Sequence, residues 1–192
     1  KELDLLNEAG VHNFIRKNKF DVVIHCATHN STVVSDKDLT KVFSNNLRMF
    51  FNLARCNKFF GKMFYFGSGA EFDKRYPIVK AKETDFDKKV PADDYGFSKY
   101  IMTKYIKSTN NIYNLRLFGC FGRYEDWRIR FISNAICRII FDMNITISKN
   151  VYFDYLHIDD LVKIVRYFID KKKIKYKEYN VCTGEKIDLV TL

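Results

Sequence analysis

The sequence predicts an α/β domain in which helices cover both faces of a mostly parallel sheet. Two observations support this class. The strand candidates are short continuous apolar runs, which is typical of strands that are buried on both faces. Stretches with a helical period separate these runs. Strands that alternate with helices of this length favour βαβ units and hence a parallel sheet.

The strand candidates are widely spaced along the chain. They are Phe20–Cys26, Lys62–Gly67, Ile112–Phe118 and Glu178–Cys182. Helices are expected between them, because apolar residues recur with helical spacing over about Asn7–Lys17, Val42–Cys56, Arg128–Phe141 and the stretch that begins at Asp159. A hairpin over Ile145–Phe153, turning at Lys149-Asn150, is expected as the main exception to the parallel pattern.

Length and composition favour one globular domain over residues 1–192. Of the 192 residues 47% are apolar and 29% charged, which excludes a disordered polyelectrolyte and a collagen-like chain. The longest apolar runs are far shorter than the roughly 20 residues that a membrane helix needs. No apolar signal segment opens the chain. We therefore expect a soluble cytoplasmic protein that has no membrane partner.

The net charge of +10 is a weaker guide to function. The lysines accompany many Asn, Ile, Phe and Tyr residues, which indicates a general bias in residue usage more than a designed basic patch. No nucleic-acid-binding motif appears, so nucleic acid is not expected as a partner, although the charge alone keeps that alternative open. Attraction of a phosphorylated small substrate is an equally good use of positive charge.

The cysteines and histidines predict no metal site. The five cysteines form no Cys-x-x-Cys pair and have no histidine at a spacing suited to zinc, so we expect reduced thiols. His25 lies within an apolar run and is expected in the core. His157 stands near Asp159, where a hydrogen-bonded structural role is favoured over contact with a substrate.

The strongest candidates for chemistry are Tyr95, Lys99 and the earlier Ser68. Tyr95 and Lys99 are i and i+4, so on a helix they share one face. A neighbouring ammonium favours the phenolate of a tyrosine, which can then exchange a proton with an alcohol. Such proton transfer typically raises a rate by ~10²–10⁴. Ser68 ends an apolar run, where parallel sheets place ligand contacts, and its hydroxyl is expected to hold the reacting oxygen.

A Tyr-x-x-x-Lys pair alone is weak evidence, because Tyr105 and Tyr167 also lie on lysine-rich helices. The simplest alternative is a surface pair worth only ~0.2–0.5 kcal/mol. The order of the segments strengthens the functional interpretation. Between Ser68 and Tyr95 lies the charged segment Asp73–Asp94, which holds both prolines. A connection of this length is usually a lid or a binding loop, and a surface excursion is the alternative.

Motifs along the whole chain resemble those of the extended short-chain dehydrogenase/reductase family, in the branch of NAD-dependent sugar-nucleotide epimerases, dehydratases and reductases. Each motif is moderate evidence, and their shared order makes the resemblance strong. The matching segments are Asp21–Thr28, Asn46-Leu47 with Asn52-Leu53, Phe64–Phe72, Glu83 and Pro91 with Tyr95–Lys99, Leu115–Gly122, Asp154–Asp160 and Tyr179–Gly184.

The resemblance implies a Rossmann-like fold, NAD or NADP as the cofactor and a nucleotide-linked sugar as the substrate. Tyr95 would be the catalytic acid/base, Lys99 its partner and a ligand of the cofactor ribose, and Ser68 the hydrogen-bond partner of the reacting group. Reversible hydride transfer would be the reaction. The other residues that match cofactor contacts of the family are Asp4, Leu5, Cys26, Ala27, Thr28, Asn46 and Phe118.

Departures from the family pattern leave the substrate open. Gly69 and Ala70 follow Ser68 where 4,6-dehydratases carry an Asp-Glu pair, so dehydration is disfavoured. Phe153 stands where many epimerases carry an arginine for the nucleotide phosphate, and Gly119 replaces an asparagine. Epimerase and reductase activities both remain possible. Segments at about 123–160 and 183–192 are expected to be partial substrate-side segments.

The start of the chain suggests an alternative without catalysis. Glu2–Leu6 resembles the middle of a βα connection, and no glycine-rich loop stands ahead of the helix expected from about Asn7. The first βαβ unit is therefore expected to be absent from this chain, which leaves NAD and NADP unseparated. Loss of the phosphate cradle would favour a non-catalytic scaffold or binding module derived from this fold. The family also suggests a homodimer through helices at 43–56 and 96–107.

Overall fold

The computed structural model describes residues 3–30 and 38–192. These residues divide into two compact units. The first unit holds 3–30, 38–116 and 173–180, and the second holds 117–172 and 181–192. All residues of the segments at 123–160 and 183–192, which are expected on the substrate side, lie in the second unit. The interpretation of the chain as one domain over 1–192 stays a prediction.

The described residues form eight strands: β1 (Val22–His25), β2 (Lys62–Ser68), β3 (Ile112–Leu117), β4 (Gly119–Phe121), β5 (Tyr152–Phe153), β6 (Tyr155–His157), β7 (Glu178–Val181) and β8 (Ile187–Asp188). The main sheet has the order β1-β2-β3-β7. β1 and β2 run parallel, with Val22 opposite Lys62 and His25 opposite Tyr65. The four strands predicted from apolar runs are confirmed, each within about two residues of its expected ends.

The same residues form five α-helices: α1 (Glu8–Asn18), α2 (Val42–Ala54), α3 (Asp94–Lys107), α4 (Phe131–Ile140) and α5 (Ile158–Asp170). Polar side chains define several of their N-termini. Asn7 accepts a hydrogen bond from the Gly10 amide at the start of α1. His157 accepts one from the Asp159 amide at the start of α5, which agrees with a structural role for this histidine.

The core of the first unit lies where α1, α2 and α3 pack against β2 and β3. Aromatic rings form much of it, and the Phe50 ring contacts the Tyr65 ring edge-on at 5.2 Å. The other buried members of this cluster are Val11, Ile15, Leu53, Ala54, Cys56, Phe60, Met63, Met102, Ile106 and Ile112. Their burial holds α2 and α3 against β2, the strand that ends at Ser68. The position of α3, which carries Tyr95, is fixed in this way.

In the second unit β4 pairs with β6 in parallel and β5 pairs with β8 antiparallel. The predicted hairpin over Ile145–Phe153 is therefore wrong. The Asn150 side chain does not close a turn: its Nδ2 donates to Asp188 Oδ1 at 2.9 Å, and its Oδ1 accepts from the Val190 amide at 3.3 Å. Asn150, which suggested a local turn, instead binds a segment distant in sequence, and β5 pairs with β8 in that same segment.

The charged segment Asp73–Asp94 is fastened to the first unit by its own side chains. Glu83 Oε1 accepts a hydrogen bond from the Asn180 amide at 2.7 Å, and Asn180 Nδ2 donates to the Ala81 carbonyl at 2.8 Å. Asp87 accepts hydrogen bonds from the Tyr100 hydroxyl and from Lys104 Nζ. The segment thus has defined anchors, while its function as a lid stays a prediction.

No helix among residues 3–30 and 38–192 is long and apolar enough to cross a membrane.

Candidate active site

The first turn of α3 places Tyr95 beside the end of β2. Asp93 caps this helix, since its carboxylate accepts a hydrogen bond of 2.9 Å from the Gly96 amide. A Cβ atom at Gly96 would lie 2.6 Å from the Ala70 carbonyl oxygen. Only glycine allows α3 to approach the 3-10 turn Gly69–Glu71 so closely, and that turn directly follows Ser68.

Lys99 is buried, with 4% of its surface exposed. Its Nζ donates a hydrogen bond of 2.9 Å to the carbonyl oxygen of Phe66, two residues before Ser68. The same Nζ lies 5.6 Å from the centre of the Tyr95 ring and 4.6 Å from the centre of the Tyr65 ring. Tyr95 and Lys99 thus share a helix face, and that face meets the strand end that carries Ser68.

Burial also sets the charge of Lys99. Desolvation lowers the pKa of Lys99 to about 8, while the charges of Glu71 and Cys26 oppose this fall. The ammonium is therefore mostly protonated at neutral pH and loses its proton just above that range. A cation so poorly solvated acts on nearby groups with more force than a surface lysine does.

Ser68 is the last residue of β2 and the N-cap of the 3-10 turn Gly69–Glu71. Its Oγ accepts a hydrogen bond of 3.2 Å from the Ala70 amide. Its own amide donates to Glu71 Oε1 at 3.0 Å. A hydroxyl that accepts from a backbone amide keeps its proton to donate elsewhere, so this geometry suits a hydroxyl that holds a reacting oxygen.

The Asn46 side chain binds the segment that follows β1. Its Oδ1 accepts hydrogen bonds from the His29 amide at 2.7 Å and from Thr28 Oγ1 at 3.3 Å. Its Nδ2 donates to the His29 carbonyl at 2.9 Å and to Ser98 Oγ at 3.5 Å. Of the residues expected near the cofactor, Thr28 and Asn46 are therefore brought together, next to α3.

Cys26 and Ala27 continue the chain directly after β1, and Cys26 is exposed. Cys26 lies near enough to Lys99 for each to influence the pKa of the other. These residues thus occupy the carboxyl end of a parallel strand, where open α/β sheets bind ligands. Their contact with a cofactor stays a prediction.

Asp4 and Leu5 lie in a turn before α1. Asp4 Oδ1 accepts a hydrogen bond of 2.9 Å from the Leu6 amide, and the Leu5 carbonyl accepts one of 2.9 Å from Asn52 Nδ2 on α2. The Asp4 carboxylate remains exposed. Phe118 follows β3 and belongs to the second unit, so it is described apart from these residues, and its role stays a prediction.

Tyr95 lines an open cleft of about 510 Å³. Both signs of charge occur around it, since Lys74 binds Asp93 at 3.2 Å and Arg75 binds the buried Asp73 at 2.7 Å. The remaining lining residues are Leu39, Val42 and Asp94. Tyr95 is half-buried and lines this solvent-accessible space, whereas Lys99 is buried.

Several buried polar atoms near the end of β1 have no hydrogen-bond partner among the described residues. They are His25 Nδ1, His29 Nε2, Asn30 Oδ1 and the Tyr65 hydroxyl. Burial, with the nearby charge of Lys99, lowers the pKa of His25 to about 3, so this ring is neutral at physiological pH. Orphaned polar groups of this kind call for an explanation, and a polar ligand at the strand end supplies one.

A buried ionic network behind Ser68 is absent from the sequence-based site. Arg116 and Glu71 are both fully buried, and Arg116 Nε donates to Glu71 Oε2 at 2.7 Å. Arg116 also donates to Glu178, whose other oxygen accepts from Lys107 Nζ at 2.7 Å. The signal was an arginine within an apolar strand candidate, because a buried charge requires a partner.

Comparison with known proteins shows a match to one family. Residues 1–182 match the model of the NAD dependent epimerase/dehydratase family. ADP-L-glycero-D-manno-heptose-6-epimerase of Brachyspira hyodysenteriae is 24% identical over 190 residues, a match that covers 90% of this chain and 57% of that protein. The chain therefore spans little more than half the length of this curated relative.

Solved structures share the fold at low sequence identity. UDP-glucose 4-epimerase from Thermotoga maritima, with UDP-glucose, has a TM-score of 0.83 at 17% identity, covering 100% of this chain and 64% of that one. GDP-mannoheptose C4 reductase from Campylobacter jejuni, with NADP bound, has a TM-score of 0.79 at 19% identity, covering 98% and 72%. The Bordetella bronchiseptica enzyme WbmG in complex with NAD has a TM-score of 0.81 at 18% identity, covering 97% and 58%. The predicted Rossmann-like α/β fold is confirmed.

Proposed function

The chain belongs to the NAD dependent epimerase/dehydratase family, and from this membership we propose that it acts as an NAD(P)-dependent epimerase or reductase on a nucleotide-linked sugar. The observation that carries the proposal is the half-buried Tyr95 ring, which lines an open cleft and lies 5.6 Å from the buried ammonium of Lys99. That ammonium is bonded to the carbonyl of Phe66, two residues before Ser68. The heptose epimerase and heptose reductase among the similar proteins support this substrate class.

The residues around the end of β1 suit a dinucleotide cofactor. His29 Nε2 and Asn30 Oδ1 are buried polar atoms that lack a partner among the described residues, and Asn46 holds their segment in place. In the proposed complex Thr28, Asn46 and Lys99 bind the cofactor, and Asp4 and Leu5 contact its adenosine end. When bound, the nicotinamide exchanges a hydride with a carbon of the sugar.

Tyr95 exchanges the proton that accompanies this transfer. The Tyr95 phenolate takes the proton of a sugar hydroxyl in the oxidative direction, and the resulting phenol returns it in the reductive direction. Lys99 favours the phenolate by its charge, because its Nζ lies 5.6 Å from the ring centre in a buried setting. The hydrogen bond from Lys99 to Phe66 holds the ammonium at that distance.

Ser68 orients the reacting oxygen. Its Oγ accepts from the Ala70 amide, which directs the hydroxyl proton toward a ligand at the end of β2. The close approach at Gly96 keeps this strand end and the first turn of α3 in a fixed relation. Ser68 and Tyr95 then reach one oxygen atom from two elements.

Substitution of Tyr95 tests the proposal. Tyr95→Phe removes only the hydroxyl, so we expect turnover of the full-length protein with NAD(H) or NADP(H) and a panel of ADP-, GDP- and UDP-linked sugars to fall at least ~10²-fold. The measurement is reduced-nicotinamide absorbance together with mass spectrometry of the sugar. Circular dichroism should show an unchanged fold.

A matched control exists on α5. Tyr167 is 56% exposed, and Lys171 Nζ lies 4.5 Å from its ring centre, so the same tyrosine–lysine spacing occurs there on a solvated surface. Tyr167→Phe should leave turnover unchanged. Equal turnover of Tyr95→Phe and wild type would refute the mechanism, and cofactor binding without turnover in the wild type would favour the scaffold alternative.

A further inference from the structure

We propose that Glu71 is a positioning residue for the reaction: its buried carboxylate, held by Arg116, fixes the turn that carries the Ser68 hydroxyl. This inference rests on the proposed function, because it names what orients one of the proposed site residues. Glu71 touches no reacting atom in this scheme. It acts through Ser68 and through the charge that it places near Lys99.

One hydrogen bond joins Glu71 directly to Ser68, and a second bond within the same turn holds the Ser68 hydroxyl. Glu71 Oε1 accepts from the Ser68 amide at 3.0 Å, and Ser68 Oγ accepts from the Ala70 amide at 3.2 Å. Both bonds span the single 3-10 turn Gly69–Glu71. Rotation of the Glu71 side chain would free the Ser68 amide and loosen the turn that sets the direction of the hydroxyl.

The Glu71 carboxylate is itself held from the opposite side. Arg116 Nε donates to its Oε2 at 2.7 Å, and Asn114 Nδ2 lies within 3.2 Å of both oxygens. Asn114 Nδ2 also donates to Thr103 Oγ1 at 2.8 Å, which connects the carboxylate to α3. Hydrogen bonds to both oxygens and complete burial restrain the Glu71 carboxylate.

A second carboxylate in the network, Glu178, serves as the control for a purely structural role. Glu178 is also a buried carboxylate that binds Arg116, but its second oxygen binds Lys107, whereas the carboxylate of Glu71 binds the Ser68 amide. Burial alone would lower the pKa of Arg116, but the ion pairs with Glu71 and Glu178 raise it. Arg116 therefore stays charged, and loss of either carboxylate leaves it less well compensated.

Glu71 also supports the cation behind Tyr95. Its negative charge opposes the burial that lowers the pKa of Lys99. Removal of the Glu71 charge should therefore lower the pKa of Lys99 below about 8, and removal of the Glu178 charge should leave it in place.

The test compares Glu71→Gln with Glu178→Gln in the full-length protein. Both variants remove one buried negative charge from Arg116, so both should lose stability in urea unfolding. Only Glu71→Gln should lower kcat, by about 10²-fold, with the KM for the cofactor unchanged, because displacement of a reacting group by about 1 Å has an effect of that size. Glu178→Gln should keep a kcat close to that of the wild type.

Two readouts do not depend on turnover. In nuclear magnetic resonance spectra, the Ser68 amide should lose its hydrogen-exchange protection in Glu71→Gln and keep it in Glu178→Gln. The Lys99 side-chain titration should move to lower pH in Glu71→Gln alone. A protected Ser68 amide and an unmoved Lys99 titration in Glu71→Gln would overturn the inference even if Tyr95→Phe confirms the proposed function.

The failures of the two proposals are distinguishable. If Tyr95→Phe and Ser68→Ala both keep full turnover, the proposed function fails, and the amide and Lys99 readouts still decide the role of Glu71. If Glu71→Gln does not fold, Glu71→Asp replaces it, because a side chain shorter by one methylene keeps the charge but cannot reach Ser68 and Arg116 together. A wild-type kcat in Glu71→Asp, with the Ser68 amide unprotected, would contradict the positioning role.

Discussion

The side-chain ammonium of Lys99 donates a hydrogen bond of 2.9 Å to the main-chain carbonyl of Phe66. This bond ties a cation on α3 to β2 two residues before Ser68. It satisfies one donor of a buried lysine and sets the distance between that cation and the Tyr95 ring. The relationship makes Lys99 a structural and an electrostatic residue at once, so its replacement should affect both properties.

Lys99→Met should lower turnover by about 10² or more, because it removes the charge that favours the Tyr95 phenolate. It should also change the pH dependence of stability. The pKa of Lys99 is about 8 in the folded chain, and the ordinary value of 10.5 applies to the unfolded chain. Between these two pH values the unfolded chain therefore binds one proton more than the folded chain. The free energy of unfolding of the wild type therefore rises with pH across that window, by at most about 1.4 kcal/mol per pH unit from this group.

Urea unfolding of wild type and Lys99→Met at pH 8, 9 and 10 checks this, because these pH values lie between the two pKa values of Lys99, about 8 and 10.5. The stability difference between the two proteins should change with pH in favour of the wild type. A constant difference would contradict the assignment of Lys99 as a buried titrating lysine.

His25→Leu should make the protein more resistant to acid. The pKa of His25 is about 3 in the folded chain and 6.5 in the reference state. Below pH 6.5 the unfolded chain therefore binds a proton at His25 that the folded chain does not bind, and the free energy of unfolding falls as the pH approaches 3. The leucine variant lacks this loss, since it has no group to protonate.

The measurement is the midpoint of urea unfolding at pH 6.5 and at pH 4.5, inside the window that the His25 pKa defines. The wild-type midpoint should fall more than the variant midpoint. Parallel losses in both proteins would show that His25 does not contribute to acid unfolding. Its packing against Phe50 and Tyr65 makes leucine, an apolar residue of similar bulk, the suitable replacement.

Gly67→Ala should destabilise the chain and impair the Ser68 turn together. An added Cβ would overlap Asn114 Oδ1 and Glu71 Oε1, both of which are buried. Forcing extra volume into a packed interior costs typically ~1–3 kcal/mol. Gly10→Ala is the matched control, because the nearest atoms to a Cβ there belong to the Asn7 side chain and lie 3.2 Å away or more.

Thermal unfolding and turnover of both alanine variants provide the check. We expect a lower melting temperature and a lower kcat for Gly67→Ala, and little change for Gly10→Ala. Equal melting temperatures for Gly67→Ala and wild type would mean that the space beside Gly67 adapts more easily than its neighbours suggest.

Much of the fold follows from local patterns. The run Phe20–Cys26 contains β1, and the periodic stretch Val42–Cys56 contains α2. Both could be predicted because the buried face of a strand or a helix shows as a pattern of apolar residues within a short stretch of sequence. β5 could not be found in this way. Its partner β8 lies more than thirty residues later in the sequence, and the two-residue strands are too short to show a period.

The candidate site divides along the same line. The helical spacing of Tyr95 and Lys99 correctly placed both on one face, and the apolar run before Ser68 correctly placed it at a strand end. Glu71 and Arg116 were missed as a pair, because nothing local says that a glutamate after one strand meets an arginine in another. Side-chain partners across a sheet depend on strand order, which single-sequence patterns do not contain.

The buried network of Glu71, Arg116 and Glu178 has a consequence for how this chain tolerates change over evolutionary time. Arg116 pairs with both Glu71 and Glu178, and Glu178 also pairs with Lys107, so a neutral residue at one of the three positions leaves a buried charge less well compensated. Viable descendants should therefore alter these positions jointly, exchanging an acidic and a basic residue for neutral ones in concert. In an alignment of relatives, positions 71, 116 and 178 should therefore covary with one another.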